Sequence, residues 1–226
     1  MGKTSKTVFE ILFSAIKLFE ENGYTETSMR QIAASSNVSL GLINHHFTSK
    51  AHLGKLTLNI VASMVCDATD RLINKLEEPV LYDAIITRAT NLYFLNGRYR
   101  KFYIDCLRED IFWAFLSERS VETLTRITNL QGHPNLSEDE LKLYGQYLPY
   151  SVEKTLVLNK EQGLFGGISY DEIPDYIIRT ELERFVDAFT INVALDYSRK
   201  YMAHILEELP ASIPEENIQR YMSRQC

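Results

Sequence analysis

Several hydrogen-bonding side chains of the kind that contact nucleic acids stand close together between residues 28 and 50. Ser28 and Ser39 each precede a short apolar stretch. A serine in that position caps a helix, whose free N–H groups and partial positive charge suit phosphate oxygens. Arg30, Asn44 and His45 stand nearby, and such side chains can contact base edges. The pattern favours a DNA-binding surface.

Neither catalysis nor metal binding is predicted by the other reactive residues. His45, His46 and His52 lie close in sequence, but adjacent histidines on a helix point about 100° apart, and no carboxylate or cysteine stands at ligand spacing. Nucleophile-elbow, phosphate-loop and zinc-protease motifs are missing, and the three cysteines are widely separated. We therefore expect no metal, no cofactor and no enzyme, with an all-α enzyme as the weaker alternative.

Composition and charge fit a globular protein with a mildly basic N-terminal part. Of the 226 residues, 45% are hydrophobic and 24% charged, which is enough to bury a substantial core. The net charge is −6, yet residues 1–60 carry six Lys/Arg against four Glu. Charges interrupt every apolar run, so we expect no membrane partner, and the unpaired cysteines fit a cytoplasmic protein.

The periodicity of the apolar residues predicts an all-α protein. Pro149 should kink the helix that contains it, and the stretch 171–209, which we expect Asp171 to cap, can be one helix or two. The helices at 29–35 and 40–46 are too short to be stable alone, and the longer neighbouring helices must position them. The predicted helices cover about 5–22, 29–35, 40–46, 50–78, 80–95, 99–117, 120–130, 137–162 and 171–209.

The run GYTETSMRQIAASSNVSLGLINHHFTSKAHL, residues 23–53, resembles the DNA-binding signature of the TetR repressor family. The matching positions keep the family's order and spacing and follow a helix of the family's length. They are Gly23-Tyr24, Thr27-Ser28, Ile32-Ala33, Val38-Ser39, Gly41, Ile43, His46-Phe47 and Ser49-Lys50. Two positions depart from the family: Asn44 stands where tyrosine is usual, and Asn37 where glycine is frequent.

The resemblance implies a helix-turn-helix domain over residues 1–49 and a helical ligand-binding and dimerisation domain over 50–226. It places the second short helix in the major groove of operator DNA. Lys50 would take a phosphate, and Leu40 and Leu42 would offer only apolar contact. The residues expected to contact DNA are Ser28, Met29, Arg30, Ser39, Leu40, Gly41, Leu42, Asn44, His45, His46 and Lys50.

For the remainder of the chain, the resemblance implies a homodimer with a small-molecule pocket among the middle helices. Residues expected at the dimer interface are Ile178, Leu182, Phe185, Phe189, Val193, Tyr201 and Ile205. A central helix of a monomeric bundle would show the same apolar pattern. Residues expected to contact the ligand are Phe102, Tyr103, Cys106, Phe112, Trp113, Tyr147 and Tyr150. Plain core packing explains this aromatic set at least as well.

Taken together, the sequence predicts a ligand-responsive repressor that binds palindromic operator DNA as a homodimer. Its effector is expected to be small and largely apolar or aromatic, and to release the protein from DNA. The alternative is an activator or a ligand-independent DNA-binding regulator of the same fold.

Overall fold

The computed structural model describes residues 3–111, 118–130 and 136–224, and the side chains of 6–111, 123–129 and 136–224. Every regular element within these ranges is helical, which confirms the all-α prediction. The helices are α1 Lys3–Asn22, α2 Met29–Ser35, α3 Leu40–His46, α4 Lys50–Thr69, α5 Pro79–Asn96, α6 Arg100–Arg108, α7 Glu118–Leu130, α8 Glu138–Lys142, α9 Leu148–Glu161, α10 Ile173–Leu182, α11 Ala188–Glu208 and α12 Glu215–Arg224.

The chain divides into two compact units. The first unit comprises residues 1–64, 94–115 and 210–226, and the second comprises 65–93 and 116–209. Helices α4 and α5 therefore contribute residues to both. The functional boundary expected between residues 49 and 50 is a different division, and it stays a prediction.

In the first unit, α1 ends at the glycine that the sequence marks as its stop. Ile11, Ile16 and Phe19 bury one face of the helix. Gly23 has φ +81°, in the left-handed region that favours glycine. A Cβ atom at Gly23 would lie 2.7 Å from Asp105 Oδ2, so this position also requires the absence of a side chain.

Helix α4 is shorter than the sequence predicts, ending at Thr69 and not near residue 78. The Asn74 side chain accepts a hydrogen bond from the Leu76 N–H (3.0 Å) and so forms a turn. The Tyr82 hydroxyl donates to Asp70 (2.7 Å), directly after the end of the helix. These contacts compete with continued helix although no proline or glycine marks the place.

Helix α6 is also shorter than predicted. It ends at Arg108 instead of near residue 117. Asp110 has φ +54°, which lies in the left-handed region and stops the helix. Residues 112–117, which include Phe112 and Trp113, lie outside the described part of the chain.

The kink expected at Pro149 takes the form of a π-helical turn, Leu143–Tyr147, between α8 and α9. The Leu148 N–H donates to the carbonyl of Leu143, five residues back. This wider turn directly precedes Pro149, which has no N–H to donate and whose ring would clash with the carbonyl one turn back in a regular helix.

The stretch 171–209 forms two main helices, α10 and α11. Asp187 separates them as the N-cap of α11, where its side chain accepts from the Thr190 N–H (3.0 Å). The expectation that Asp171 caps this stretch is wrong. The cap is Ser169, whose N–H donates to the Glu172 carboxylate (2.7 Å) at the start of a short 3-10 turn.

The second unit has a core of aliphatic and aromatic side chains from α5, α7, α8, α10 and α11. Within this unit, Arg88 is 2% exposed; it donates to Ser198 Oγ (2.9 Å) and pairs with Asp175. Among the residues that the structure describes, no helix combines the length and the apolar character needed to cross a membrane.

Candidate nucleic-acid interface

Helix α2 begins with the capping box that the sequence predicts. Ser28 Oγ accepts from the Gln31 N–H (3.2 Å), and the Gln31 side chain accepts from the Ser28 N–H (2.7 Å). Ile32 and Ala33 are buried, whereas Arg30 is exposed and Met29 is half-buried. The helix therefore holds its inner face in the core and leaves Arg30 to solvent.

The turn between α2 and α3 is fixed by backbone geometry. Asn37 has φ +53°, and its N–H donates to the Ala34 carbonyl (3.3 Å). The Val38 N–H donates to the Ala33 carbonyl (3.1 Å), which completes a Schellman motif. Asparagine tolerates the left-handed conformation better than other non-glycine residues, so Asn37 can serve in this turn.

Ser39 caps the N-terminus of helix α3, where its Oγ accepts from the Leu42 N–H (3.2 Å). Ile43 and Phe47 are buried and attach the helix to the core. A Cβ atom at Gly41 would meet only Ser39 Oγ, at 3.9 Å, so Gly41 leaves a flat patch on the outer surface. Close approach of another molecule to α3 is therefore unobstructed at this point.

The outer surface of α3 is apolar at its N-terminal end and polar further along. Leu40 and Leu42 are each 37% exposed. Asn44 and His45 are exposed, and His46 is half-buried with its ring 4.9 Å from that of His45. Exposed leucines beside asparagine and histidine can contact thymine methyl groups and base edges.

Lys50, expected to hold a phosphate, is directed toward the loop between α1 and α2. Its Nζ donates to the carbonyls of Tyr24 (2.9 Å) and Thr25 (3.4 Å) and lies 4.2 Å from the centre of the Tyr24 ring. Burial lowers the pKa of Lys50, and nearby carboxylates such as Glu109 act in the opposite direction. Lys50 thus ties the start of α4 to the loop between α1 and α2.

Asp105 of α6 anchors the same loop and was missed by the sequence reasoning. This buried carboxylate accepts from the Thr25 N–H (3.0 Å). Within the loop, the Thr27 hydroxyl donates to the Gly23 carbonyl (2.8 Å) and stabilises its conformation. A carboxylate within the apolar run FYIDCL was the available signal, because a buried acid needs hydrogen-bond donors.

Comparison with known proteins agrees with this geometry. Residues 11–55 match the family model described as "Bacterial regulatory proteins, tetR family". The helix-turn-helix of this chain is a TetR-family DNA-binding domain. A curated relative, the HTH-type transcriptional regulator HbdR of Aromatoleum sp. (strain CIB), is 39% identical over 71 residues. That match spans 31% of this chain and 31% of HbdR, so it concerns less than a third of either protein.

The residues expected to contact a ligand are divided between the two units. Phe102, Tyr103 and Cys106 are fully buried in the unit that contains the TetR-family domain. Phe102 stacks on Phe19 of α1, with ring centres 5.0 Å apart, and so packs in the core of that unit. In the second unit Tyr150 is buried and Tyr147 is exposed. Phe112 and Trp113 lie outside the described residues, and ligand contact by the set stays a prediction.

The residues expected at the dimer interface also fall into two groups, all of them in the second unit. Four are buried in that unit within a single chain: Ile178, Leu182, Phe185 and Ile205. Phe189 and Val193 are exposed, and Tyr201 is half-buried. A partner could touch only this second group without displacing the core, and formation of a dimer stays a prediction.

Proposed function

We propose that this protein is a TetR-type transcriptional repressor of the cytoplasm that binds palindromic operator DNA as a homodimer and is released by a small-molecule effector. One observation carries the proposal. Helix α3, capped by Ser39, buries Ile43 and Phe47 and leaves Leu40, Leu42, Asn44 and His45 exposed. An anchored short helix with such an outer surface fits the major groove.

A homodimer is supported by an exposed apolar stripe on α11. Phe189, Val193 and Tyr197 follow one another at four-residue spacing and are 77%, 39% and 45% exposed. Side chains at this spacing lie on one face of a helix, and a large exposed apolar patch marks an interaction site. A two-fold axis through the stripe would pair it with itself in a second copy. On a palindromic operator, the two α3 helices of a dimer are expected to lie about 34–36 Å apart, one turn of DNA.

The effector would act by favouring another spacing of the two α3 helices. Operator affinity then falls by the difference in the effector's affinity for the two states and no more. We expect this effector to be small and largely apolar or aromatic, as the aromatic residues of the sequence indicate.

Selection of bound sequences from random DNA by the full chain tests the proposal. A palindromic consensus supports the dimeric regulator, and loss of binding in the presence of a metabolite supports release by an effector. Enrichment of a consensus that no tested metabolite affects favours a ligand-independent regulator. The absence of any enriched sequence would contradict operator binding.

Two substitutions separate readout of bases from general affinity. Asn44→Ala should cost about 1–3 kcal/mol on the consensus and almost nothing on random DNA, because the exposed amide reads a base edge. Lys50→Ala should weaken binding to both DNAs alike, since Lys50 holds the loop that precedes α2. Titrations of both DNAs at one salt concentration make the comparison. If Asn44→Ala weakened binding to the consensus and to random DNA equally, as Lys50→Ala should, the role of Asn44 would be overturned.

A further inference from the structure

Residues 210–224 pack within the unit that holds the DNA-binding helices, although more than a hundred residues separate them from α3 in the chain. Ile213 and Ile218 are buried there. Helix α12 packs against α1, and its outer face is polar. The segment is therefore an integral layer of the unit.

Glu20 on α1 is the centre of the first attachment. Ser212 Oγ donates to Glu20 Oε1 (2.6 Å), and the Tyr99 hydroxyl donates to Glu20 Oε2 (3.1 Å). The Tyr99 oxygen in turn accepts from the Ile213 N–H (3.1 Å). Tyr99 is fully buried, so this chain of hydrogen bonds is shielded from water where it passes the ring.

A second attachment lies at the other end of the segment. The Arg224 guanidinium donates to Ser63 Oγ of α4 (2.9 Å), and Ser63 is largely buried. Residues 210–224 thus bond to α1 through Glu20, to the residue before α6 through Tyr99, and to α4 through Ser63. The long helices α1 and α4 flank α2 and α3 in the chain.

We propose that residues 210–224 are a positioning element for DNA binding, which fixes α1 and α4 in the arrangement that presents α3 to the operator. Helices α2 and α3 have seven residues each, and helices of that length are not stable without packing against the rest of the protein. The longer helices set the direction of α3, and the segment bonds to two of them. This inference rests on the proposed operator binding.

The test compares full-length variants whose substitutions lie only in the segment. Ser212→Ala combined with Arg224→Ala removes the side-chain bonds to Glu20 and Ser63, and adding Ile218→Ala also removes buried apolar contact. The matched control, Glu216→Ala with Gln219→Ala, changes exposed residues of α12. Affinity for the selected operator is measured at room temperature, where circular dichroism verifies unchanged helix content, and melting curves are recorded separately.

We expect the triple variant to bind the operator about tenfold more weakly at unchanged helix content, and the control to stay within about twofold of the parent. Hydrogen exchange in α1 and α4 should be faster in the triple variant. Ile218→Leu alone should retain the parent's affinity, because it keeps an apolar side chain at the buried position.

A fall in melting temperature with unchanged operator affinity would overturn the inference, since the segment would then only stabilise the unit. If the triple variant loses helix content, the double variant decides by the same two measurements. Failure of the parent itself to select an operator would overturn the proposed function together with this inference. Parental binding with equal binding by the variants would overturn the inference alone.

Discussion

The two units differ in what their buried acids do. In the first unit the buried Asp105 accepts a hydrogen bond from the loop before α2, and the half-buried Glu20 accepts one from Ser212. Each of the two carboxylates has an arginine within 3.5 Å. In the second unit the buried carboxyl groups of Asp83 and Glu181 hydrogen-bond to each other. The first arrangement holds loops and helices in place, whereas in the second the pKa values of the acid groups are raised.

The raised pKa values follow from burial. Burial raises the pKa of Glu153, which accepts a hydrogen bond from Asn91, to about 8. Burial also raises the pKa values of Asp83 and Glu181. The neighbouring Asp83 raises the pKa of Glu181 further, whereas the hydrogen bond to Glu181 acts in the opposite direction on Asp83. Asp105 and Glu20 in the first unit thus hold neighbouring segments in place. The buried acids of the second unit make the stability of the protein depend on pH.

The largest effect is expected from the Arg88–Asp175 ion pair of the second unit, where a carboxylate has a structural role like those of the first unit. Arg88→Ala leaves Asp175 without its buried partner and should lower the free energy of unfolding by about 3–5 kcal/mol. Arg199→Ala is the control, because Arg199 pairs with the same carboxylate from a half-exposed position. Urea unfolding measures both variants. Similar small losses of unfolding free energy in the two variants would show that burial of Arg88 does not strengthen its ion pair.

Measuring stability at a series of pH values tests the role given to the buried acids of the second unit. The unfolded chain ionises Glu153 above about pH 4.5, whereas the folded protein keeps the proton until about pH 8. The unfolded state therefore binds fewer protons in this window, and stability falls as the pH rises. On the order of 2 kcal/mol should be lost between about pH 6 and pH 8, since one group contributes at most about 1.4 kcal/mol per pH unit.

Glu153→Gln should reduce this loss, because the amide stays neutral and still bonds to Asn91. The control Glu183→Gln changes an exposed acid and should leave the pH profile of the parent. Urea unfolding at each pH gives the profiles. An unchanged slope in the Glu153 variant would exclude this carboxyl as the source.

The smallest effect is expected in the first unit. Ser39→Ala removes the N-cap of α3 and should lower the free energy of unfolding by about 1 kcal/mol. Thr48→Ala, at an exposed position two residues after the end of α3, is the control and should change the free energy of unfolding by less than about 0.5 kcal/mol. Thermal melts compare the two. Equal stability of both variants would mean that the cap does not hold α3.

The contrast between the units extends to how well each follows from the sequence. Helices α1, α2 and α3 agree with prediction because Gly23, Ser28 and Ser39 act on backbone groups within a few residues. The end of α4 does not follow, because Asn74 and the bond from Tyr82 to Asp70 decide it. The second of these depends on packing between helices, which periodicity does not describe.

The candidate site shows the same division. Exposure of Asn44 and burial of Ile43 follow from helical spacing. The inward direction of Lys50 and the anchoring by Asp105 do not follow from it. Lys50 bonds to Tyr24, and Asp105 bonds to Thr25, and each of these partners is distant in the sequence. An apolar pattern also cannot tell which face of a helix packs inside its own chain, and Ile178 is buried there.

By itself, the sequence determined the capped short helices at Ser28 and Ser39, and hence the TetR-family domain they form. Such signals act over three or four residues and need no other part of the chain. Only the tertiary structure decided that residues 210–224 bond to Glu20 and Ser63, because contacts between distant residues depend on how the helices pack. Local sequence thus identifies the DNA-binding helices, whereas the contacts that hold them in place depend on the tertiary structure.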